Sequence, residues 1–477
     1  MAAKVAPESV ANAEGISKSL NLYNGRKAAL PLHIIIVGSG IGGLAAAHCL
    51  TQAGHKVTMF ESASFVGEVG AGIQVSPNIT RLLVRWGLEE PLKNIAVRPE
   101  AVVFRRYNTG ERVGYTRWGD QMDKYGAPYY HIHRADFHKL LYDLALPNIT
   151  LHLKSAVVGV DPEAPSVTLQ SGEVVKGDLV IGADGVKSFV QQVVIGRVNP
   201  AQPTGDAAYR ALIPTSYMLA DPELKPFVDT PEMSAWMAPG RHLMAYSIRG
   251  KREYNLVMLR PDDSDSGSVE SWTAEGNAAK MRAEFADFEP RVQKMLSQVK
   301  STLSWRLMDR QPLETWVHAS GKVALLGDAC HPMLPYRAQG AAMAIEDAAV
   351  LGNLFSHLSH PSQILPLLKA YQDLRLPRAS ATQAQSRLNQ KIFHLPDGPE
   401  QEARDADMRK AMEMELRLLR GEQAEDVTLG NPNQWGDKTK SEIQYGYDAD
   451  KAAEDWWEET GKFTVAPLAQ TQAESRL

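Results

Sequence analysis

The stretch IIIVGSGIGGLAAA, residues 34–47, places four β-branched residues directly before a cluster of glycines. This order predicts a buried parallel strand, a tight turn and then a helix. In such a unit Gly38 permits the turn, Gly40 lets a pyrophosphate approach the backbone, and Gly43 lets the helix pack closely on the strand. The free N–H groups at the start of the helix then face the phosphates. The stretch therefore predicts a nucleotide-binding unit of the Rossmann type.

The next strand indicates a dinucleotide as the ligand. KVTMF, residues 56–60, is followed by Glu61, which lies 18 positions beyond Gly43. A carboxylate at that strand end is placed to accept hydrogen bonds from a ribose diol. NAD and FAD both fit this unit, so the choice between them depends on the rest of the chain.

Two later segments repeat the pattern of an apolar strand that ends in glycine and aspartate. LVIGADG, residues 179–185, contains Asp184 at the end of its apolar run. KVALLGDA, residues 322–329, contains Asp328 in the same position. Two prolines then bend the chain away from the strand, and QGAAMAIEDA, residues 339–348, is expected to begin a helix.

Together the three segments resemble the class A flavoprotein monooxygenases, the single-component aromatic hydroxylases of the para-hydroxybenzoate and salicylate hydroxylase type. The resemblance runs from about residue 32 to about residue 395, with the motifs in the family's order. It implies FAD as the bound cofactor, NADPH or NADH as a transient co-substrate, and the activity of an FAD-dependent NAD(P)H monooxygenase. In the implied cycle, reduced FAD reacts with O2 to form a flavin hydroperoxide, which transfers oxygen to an electron-rich phenolic ring.

The resemblance also implies which residues contact the FAD. Asp328 is expected to hydrogen-bond a ribityl hydroxyl. The helix start at Gly340 and Ala341 is expected to face the flavin pyrimidine ring with its positive end. Arg134 matches the arginine that the family places against the FAD linker.

Two further positions follow from the family pattern. Asp184 matches a motif whose aspartate touches both FAD and the nicotinamide cofactor. The family commonly has arginine three residues after the serine of this motif, whereas this chain has Gln191. Gly72, within EVGAGIQVSPN at residues 68–78, is expected to let the backbone approach the flavin edge.

Residues 203–304 alternate apolar and polar positions over short runs separated by turns, which predicts antiparallel strands followed by helix. In the family such a sheet covers the flavin and forms the substrate pocket. We expect Arg210 and Tyr246 to be its catalytic residues, because a cation and a phenol facing an aromatic substrate would hold a phenolate and keep its ring electron-rich. An indole or other large-aromatic epoxidase or hydroxylase of secondary metabolism is an alternative, and a non-catalytic nucleotide-binding redox sensor is a second.

The composition argues against several other kinds of protein. Charges of both signs are interspersed and the net charge is −5, so no nucleic-acid partner is expected. Cys49 and Cys330 are the only cysteines, which favours a reducing compartment such as the cytoplasm. No apolar run is long enough to predict a membrane span, and no grouping of histidine and cysteine predicts a metal site.

The predicted fold class is α/β, with a Rossmann-like FAD-binding domain, an inserted, mostly antiparallel β-sheet substrate domain and a C-terminal helical tail. The predicted organisation is a flexible extension at residues 1–30, an FAD-binding domain in two parts at 31–202 and 305–395, a substrate domain at 203–304, and a charged helical tail at 396–477. The sequence leaves open the identity of the small aromatic substrate, the choice between NADPH and NADH, and the oligomeric state.

Overall fold

The computed structural model describes residues 22–65, 71–262 and 275–465. Most of the predicted N-terminal extension and the last 12 residues of the predicted tail lie outside this part of the chain. Part of the predicted substrate domain, residues 263–274, lies outside it as well.

The strands, numbered in chain order, are β1 His33–Val37, β2 Lys56–Phe60, β3 Gly72–Val75, β4 Ala101–Arg106, β5 Arg112–Arg117, β6 Tyr130–His133, β7 Ile149–His152, β8 Val157–Asp161, β9 Ser166–Leu169, β10 Val174–Lys176, β11 Leu179–Gly182, β12 Gln202–Pro214, β13 Glu232–Ala238, β14 Arg241–Ile248, β15 Glu253–Pro261, β16 Glu275–Gly276, β17 Thr302–Asp309 and β18 Val323–Leu325. The helices are α1 Ile41–Gln52, α2 Pro77–Arg85, α3 Glu89–Ile95, α4 Arg134–Ala145, α5 Phe189–Ile195, α6 Thr215–Ala220, α7 Pro226–Asp229, α8 Ala278–Glu284, α9 Pro290–Ser297, α10 Gly340–Ser356, α11 Ile364–Phe393, α12 Pro399–Leu419, α13 Lys438–Tyr445, α14 Ala449–Trp456 and α15 Lys462–Thr464.

The predicted nucleotide-binding strands belong to one parallel sheet, in the order β18-β11-β1-β2-β7. β1 lies at its centre and its isoleucines are fully buried, as expected of a parallel strand that is covered on both faces. Because all five strands run in the same direction, the loops that follow them meet at one edge of the sheet. These loops carry Gly38, Glu61, Asp184 and Asp328.

The second large sheet has the strand order β16-β17-β12-β15-β14-β13-β4-β5. Its strands pair antiparallel except for β13 and β4, which are parallel. The strands expected within residues 203–304 form its centre, and β4 and β5 join it from residues 101–117. In the described part of the helical stretch expected after them, two separate helices, α8 and α9, follow the short strand β16.

The C-terminal tail packs against this second sheet. α12 lies along β5, and its residues Met408 and Met414 are buried. The tail also places Trp435 and Tyr445 in the hydrophobic core beside the sheet. The tail is therefore part of the wall that encloses the middle of the molecule.

These features confirm the predicted α/β fold class, with its parallel sheet, its mostly antiparallel sheet and its C-terminal helices. Two small sheets, β10-β9-β8 and β3-β6, complete the described architecture. Across the described ranges, no helix combines the length and the apolar character that a bilayer crossing requires.

Candidate active site

A cavity of about 290 Å³ lies between the carboxyl edge of the parallel sheet and one face of the second sheet. Eight of the twelve residues expected at the site line it, namely Gly40, Gly72, Arg134, Arg210, Tyr246, Asp328, Gly340 and Ala341. The structure thus brings six of the ten residues expected to contact FAD, and both residues expected to contact the substrate, to a single cavity. The other four expected FAD residues do not line it, namely Gly38, Gly43, Glu61 and Asp184.

The loop after β1 leaves no room for side chains at two of its glycines. Gly38 has φ +101°, a conformation that other residues rarely adopt, and a Cβ atom there would overlap the backbone of Ala183. A Cβ atom on Gly43 would overlap the carbonyl oxygen of Gly38. At Gly40, in contrast, no atom lies within 4 Å of the Cβ position, and this residue lines the cavity. The fold itself therefore requires glycine at positions 38 and 43, whereas Gly40 leaves open space for a ligand.

Glu61, at the end of β2, is bonded to the glycine-rich loop. Its Oε2 accepts hydrogen bonds of 2.9 Å from both the N–H and the hydroxyl of Ser39, and its Oε1 accepts one of 2.8 Å from the N–H of Ala63. Burial acts to raise the pKa of Glu61, but these hydrogen bonds outweigh it and hold the pKa below its ordinary value. The carboxylate is therefore ionised at neutral pH, which suits an acceptor for a ribose diol.

Asp328, which follows β18, is enclosed by protein but open to the cavity. Within the described part of the chain, no donor bonds its carboxylate. Burial raises the pKa of Asp328, and the positive charge of Arg134 opposes this rise. Arg134 begins α4 at the cavity wall, and burial lowers its pKa in turn. An enclosed acceptor of this kind fits a ligand hydroxyl, because a polar group that leaves water needs a partner.

Asp184 uses its carboxylate to cap the helix that follows β11. It accepts hydrogen bonds from the hydroxyl of Ser188 at 2.5 Å and from the N–H of Phe189 at 2.8 Å, and it does not line the cavity. Gln191, at the position where the family commonly has arginine, is buried and donates to the carbonyl of Ala329 at 2.6 Å. The loop after β11 is therefore tied to α5, and α5 is tied in turn to the segment that carries Asp328.

A buried ionic network lies behind the start of α10. Glu346 pairs with Arg375 at 2.6 Å and with Arg378 at 2.7 Å. Asp347 pairs with Arg375 at 2.8 Å and with His331 at 2.5 Å. Burial acts to raise the pKa of both carboxyl groups, but the neighbouring cations outweigh it and lower both. This network fixes the helix start at the cavity, where Gly340 and Ala341 present their N–H groups.

One group in the described residues, Cys330, His331 and Asp347, has ligand atoms close enough together for a metal ion. The same atoms are engaged within the protein, because His331 bonds Asp347 and the thiol of Cys330 donates to the carbonyl of Gly327 at 3.3 Å. The N–H of Gly327 donates to Asp347 at 3.1 Å. The three side chains are therefore close together because they hydrogen-bond to each other and to the backbone of the loop.

The second sheet contributes one face to the opposite wall of the cavity. Arg210 of β12 lies opposite Val257 of β15, which in turn lies opposite Met244 of β14. His242 and Tyr246 lie two residues to either side of Met244, on the same face, because side chains alternate along a strand. All five residues line the cavity.

Arg210 is the cation on this wall. Its guanidinium lies over the ring of Trp305, 4.4 Å from the ring centroid. Burial lowers the pKa of Arg210 to about 10, and the positive charge of Arg134 acts in the same direction. The group stays protonated at neutral pH, so it presents a positive charge to the cavity.

Tyr246 packs against the strand that carries Gly72. A Cβ atom on Gly72 would lie 2.7 Å from the Tyr246 hydroxyl, and the N–H of Gly72 donates to Oδ1 of Asn255 at 2.8 Å. The ring of Tyr246 packs on that of His131, with 4.3 Å between centroids. Burial raises the pKa of Tyr246 to about 12 although the charge of Arg210 opposes it. The hydroxyl is therefore neutral at neutral pH and can donate a hydrogen bond.

Five polar or aromatic side chains line the cavity in addition to those expected from the sequence, namely Gln74, His242, Tyr336, Gln339 and Trp435. Alternation along a strand predicts the first two of these positions. Gln74 shares a face of β3 with Gly72, and His242 shares a face of β14 with Tyr246. Tyr336 and Gln339 lie in the same segment as Asp328. Trp435 comes from the C-terminal tail, and no local pattern around it indicates a contact with the cavity.

Comparison with known proteins agrees with this geometry. Residues 32–386 match the family described as an FAD binding domain. Over 424 residues the chain is 37% identical to the FAD-dependent monooxygenase OpS4 of Beauveria bassiana, with 88% of this chain and 96% of the relative covered. The chain belongs to the FAD-dependent monooxygenases.

Other members of the family act on aromatic rings. The chain is 37% identical over 383 residues to the 3-amino-4-hydroxybenzoate 2-monooxygenase of Streptomyces cremeus, with 79% of this chain and 92% of the relative covered. The structure of a salicylate hydroxylase in complex with substrate matches with a TM-score of 0.70 at 26% identity, covering 89% of this chain and 97% of that one. The predicted FAD cofactor and the predicted relation to the aromatic hydroxylases are thus confirmed.

Proposed function

We propose that this monooxygenase hydroxylates a small phenolic substrate that it binds as the phenolate, with Arg210 and Tyr246 at the phenolic oxygen. The observation that carries the proposal is the wall formed by the second sheet, where a protonated guanidinium and a neutral phenol line one cavity together with apolar side chains. The relatives named for an aminohydroxybenzoate and for salicylate support a phenol as the class of substrate.

The loops at the edge of the parallel sheet have the features that FAD needs. Gly40 leaves space for the pyrophosphate, Glu61 offers an ionised acceptor to the ribose, and Asp328 offers a carboxylate without a protein donor to a ribityl hydroxyl. We assign Arg134 to the linker and the start of α10 at Gly340 to the pyrimidine end of the flavin ring. When bound, FAD supplies the activation of O2 after reduction by NADPH or NADH.

The residues of the second sheet would act on the aromatic ring. Arg210 stabilises the negative charge of the phenolate, and Tyr246 donates a hydrogen bond to it. An ionised oxygen makes the ring more electron-rich and therefore a better acceptor of electrophilic oxygen. Both interactions become stronger where the bound flavin and substrate exclude water, because less water then screens the charges. Gly72, which lies beside Tyr246, keeps the backbone clear where the flavin edge and the substrate meet.

Two further assignments are parts of the same proposal. Asp184 caps α5, and we assign the loop that carries it, after β11, to contacts with the FAD and with the nicotinamide co-substrate. The two buried free cysteines support a reducing compartment such as the cytoplasm as the site of action.

The test is to follow NADPH and NADH oxidation by the FAD-loaded protein against phenolic acids, phenols and indoles, with mass spectrometry of the products. Each phenol is paired with its methyl ether, which has a similar shape but cannot ionise. One added oxygen on phenols and none on their ethers is the expected result. Oxygenation of indoles alone would favour an indole oxygenase, and the absence of any aromatic-dependent turnover would favour a redox sensor.

A further inference from the structure

Gln339, the residue directly before α10, lines the cavity and is held by side chains from two other parts of the chain. Its Nε2 donates a hydrogen bond to the hydroxyl of Ser76 at 3.0 Å. Its Oε1 accepts hydrogen bonds from Nδ2 of Asn78 at 3.4 Å and from Nε2 of Gln444 at 2.9 Å. Ser76 and Asn78 lie at the start of α2, whereas Gln444 lies in α13 of the C-terminal tail. An amide at the cavity is thus fixed in part by the tail.

All four of these side chains are enclosed by the protein. Gln339 and Ser76 are each 1% exposed, Asn78 is 0% exposed and Gln444 is 3% exposed. A buried amide that loses its partner cannot replace it with bulk water, so the hydrogen bond between Gln339 and Gln444 matters to the position of both. The two residues are 105 positions apart in the chain.

A buried carboxylate determines which way the amide of Asn78 points. Burial acts to raise the pKa of Glu346, but the charges of Arg378 and Arg375 outweigh it and lower the pKa, so the group is ionised and can only accept. Asn78 therefore turns its Nδ2 toward Glu346, to which it donates at 2.7 Å. Its Oδ1 then faces the hydroxyl of Ser76, which donates to it at 2.6 Å.

The same order of donors and acceptors fixes the amide of Gln339. Because the hydroxyl of Ser76 donates to Asn78, its oxygen is free to accept from Nε2 of Gln339. Oε1 of Gln339 is then the acceptor for the amide of Gln444. An amide nitrogen carries two N–H groups, and Nε2 of Gln339 uses one of them for Ser76. Within the described residues, no group accepts the second.

The backbone of the tail is fixed to the same network. Arg378 of α11, which pairs with Glu346, also donates to the carbonyl oxygens of Ile443 and Gln444, both at 2.9 Å. The contacts form a closed ring at the start of α10, which runs from Gln339 through α2 and Glu346 to Arg378 and returns through the tail. The position of α13 is therefore coupled to the amide at the cavity.

We propose that Gln339 is a further FAD-binding residue, and that Gln444 of the tail is the positioning residue that holds its amide. The second N–H of Gln339 donates to a carbonyl oxygen of the flavin pyrimidine ring. That ring gains negative charge when the flavin is reduced, so a fixed donor beside it stabilises the reduced form more than the oxidised form. The inference rests on the proposed position of the flavin at the start of α10. It adds a side chain of the tail to the groups that determine the reduction potential of FAD.

The experiment measures the two-electron midpoint potential of the bound FAD by equilibration with a reference dye, with no aromatic substrate present. Gln444→Met removes the donor and keeps the length of the side chain. We expect it to lower the midpoint potential by about 30 mV, which is about a tenfold change in the equilibrium between reduced and oxidised flavin. Ile443→Ala, which shortens an exposed side chain of the same helix, should keep the wild-type potential.

A pair of substitutions tests whether Gln444 acts through Gln339. Gln339→Met should also lower the potential, by about 30 mV or more. Gln444→Met in the Gln339→Met background should then cause no further fall, because two residues that act through one contact are not additive. A further fall of full size would overturn the positioning role of Gln444. The unfolding temperature is measured for every variant, because a role in folding alone would lower that temperature and leave the potential unchanged.

Ala341→Asp separates the inference from the proposed position of the flavin. A carboxylate at the start of α10 repels the charge of the reduced ring, so it should lower the potential or abolish FAD binding if the flavin lies there. A wild-type potential in Ala341→Asp would overturn that position and the inference together. An altered FAD site in Ala341→Asp, with wild-type potentials in Gln339→Met and Gln444→Met, would overturn the inference alone. If Gln444→Met does not fold, Gln444→Asn decides the matter, because its amide stays polar but is one methylene shorter.

Discussion

The two walls of the cavity are built from different parts of the chain. The wall formed by the parallel sheet consists largely of backbone, with tight glycine positions and a helix start, and its carboxylates stand at strand ends next to recognisable motifs. The wall formed by the second sheet consists of side chains that project from three strands and from the C-terminal tail. The first wall therefore leaves no space for extra atoms at several positions, whereas the second can change its chemistry without a change of fold. Substitutions in the first wall should therefore reduce stability or FAD binding, whereas substitutions in the second should reduce product formation.

Among these variants, Gly43→Ala is expected to have the largest effect on FAD binding and on the stability of the apoprotein. The added methyl of Gly43→Ala overlaps the backbone carbonyl of Gly38, so α1 is forced away from β1. Overpacking of this kind costs about 1–3 kcal/mol or more. We expect loss of FAD binding and a lower unfolding temperature of the apoprotein by calorimetry.

Gly40→Ala is the matched control. Its φ of −67° is ordinary for alanine, and no atom lies within 4 Å of the new Cβ. The apoprotein should therefore unfold at the wild-type temperature, while FAD occupancy, measured by absorbance, falls because the methyl takes the space of the pyrophosphate. Equal unfolding temperatures for the two variants would contradict the distinction between glycines that serve the fold and one that serves the ligand.

Arg210→Met and Tyr246→Phe test the opposite wall. Product formation should fall by about one to three powers of ten, at about 1.4 kcal/mol of lost transition-state stabilisation per tenfold. FAD content should stay at the wild-type value, because both side chains project from the second sheet and not from the loops that are expected to hold FAD.

The coupling of NAD(P)H consumption to hydroxylation of the aromatic substrate is a second measurement on these variants. A ring that is poorly held or insufficiently electron-rich accepts oxygen slowly, so NAD(P)H consumption should continue while hydrogen peroxide replaces product. The ratio of peroxide to product is therefore expected to rise in both variants. Well-coupled, near-normal turnover in both would remove Arg210 and Tyr246 from the site.

The contrast between the walls also explains how far the sequence alone could lead. Gly38, Gly43, Glu61 and Asp328 belong to strand-turn-helix units whose geometry is set within a few residues, so their positions follow from local pattern.

The second wall depends on distant pairings that no local pattern specifies. Arg210 meets Met244 only because β15 lies between β12 and β14, and the register of those strands is fixed by the core as a whole. His242 is joined to His394 across 152 residues, and Trp435 arrives from a tail whose charged sequence resembles a solvated surface. Alternation indicates which residues of one strand share a face, but not which strands are neighbours.

Asp328→Ala and Glu61→Ala should have a smaller effect, confined to the cofactor. Each removes a charge-assisted hydrogen bond worth about 1.5–3 kcal/mol, which weakens FAD binding by about 10- to 150-fold. Turnover at saturating FAD should remain well coupled, in contrast to Arg210→Met. Asp328→Asn keeps an acceptor of the same shape and should lose less affinity than Asp328→Ala. FAD affinity is measured by quenching of flavin fluorescence, and wild-type affinity in both alanine variants would remove these strand ends from the FAD site.

The smallest effect is expected from Trp435→Phe, which tests whether the tail is part of the substrate wall. The indole of Trp435 lines the cavity, stacks on Phe393 with 6.0 Å between ring centres, and lies under the guanidinium of Arg337 at 5.3 Å. Phenylalanine keeps an aromatic ring but frees space at this end of the cavity. Changes of one methylene in an apolar pocket are worth about 1–3 kcal/mol of discrimination. The ratio of kcat/KM for a larger phenol to that for a smaller one should therefore rise about tenfold, with FAD affinity unchanged.

Trp86→Phe serves as the control for the loss of a buried indole, because Trp86 is fully buried but does not line the cavity. It should lower the unfolding temperature and leave the ratio between the two phenols as it is. If Trp435→Phe behaves in the same way, the tail only covers the wall. A changed ratio with unchanged FAD affinity would mean that the substrate wall is assembled from segments as far apart in the chain as Arg210 and Trp435, while the FAD wall is built from local strand-turn-helix units.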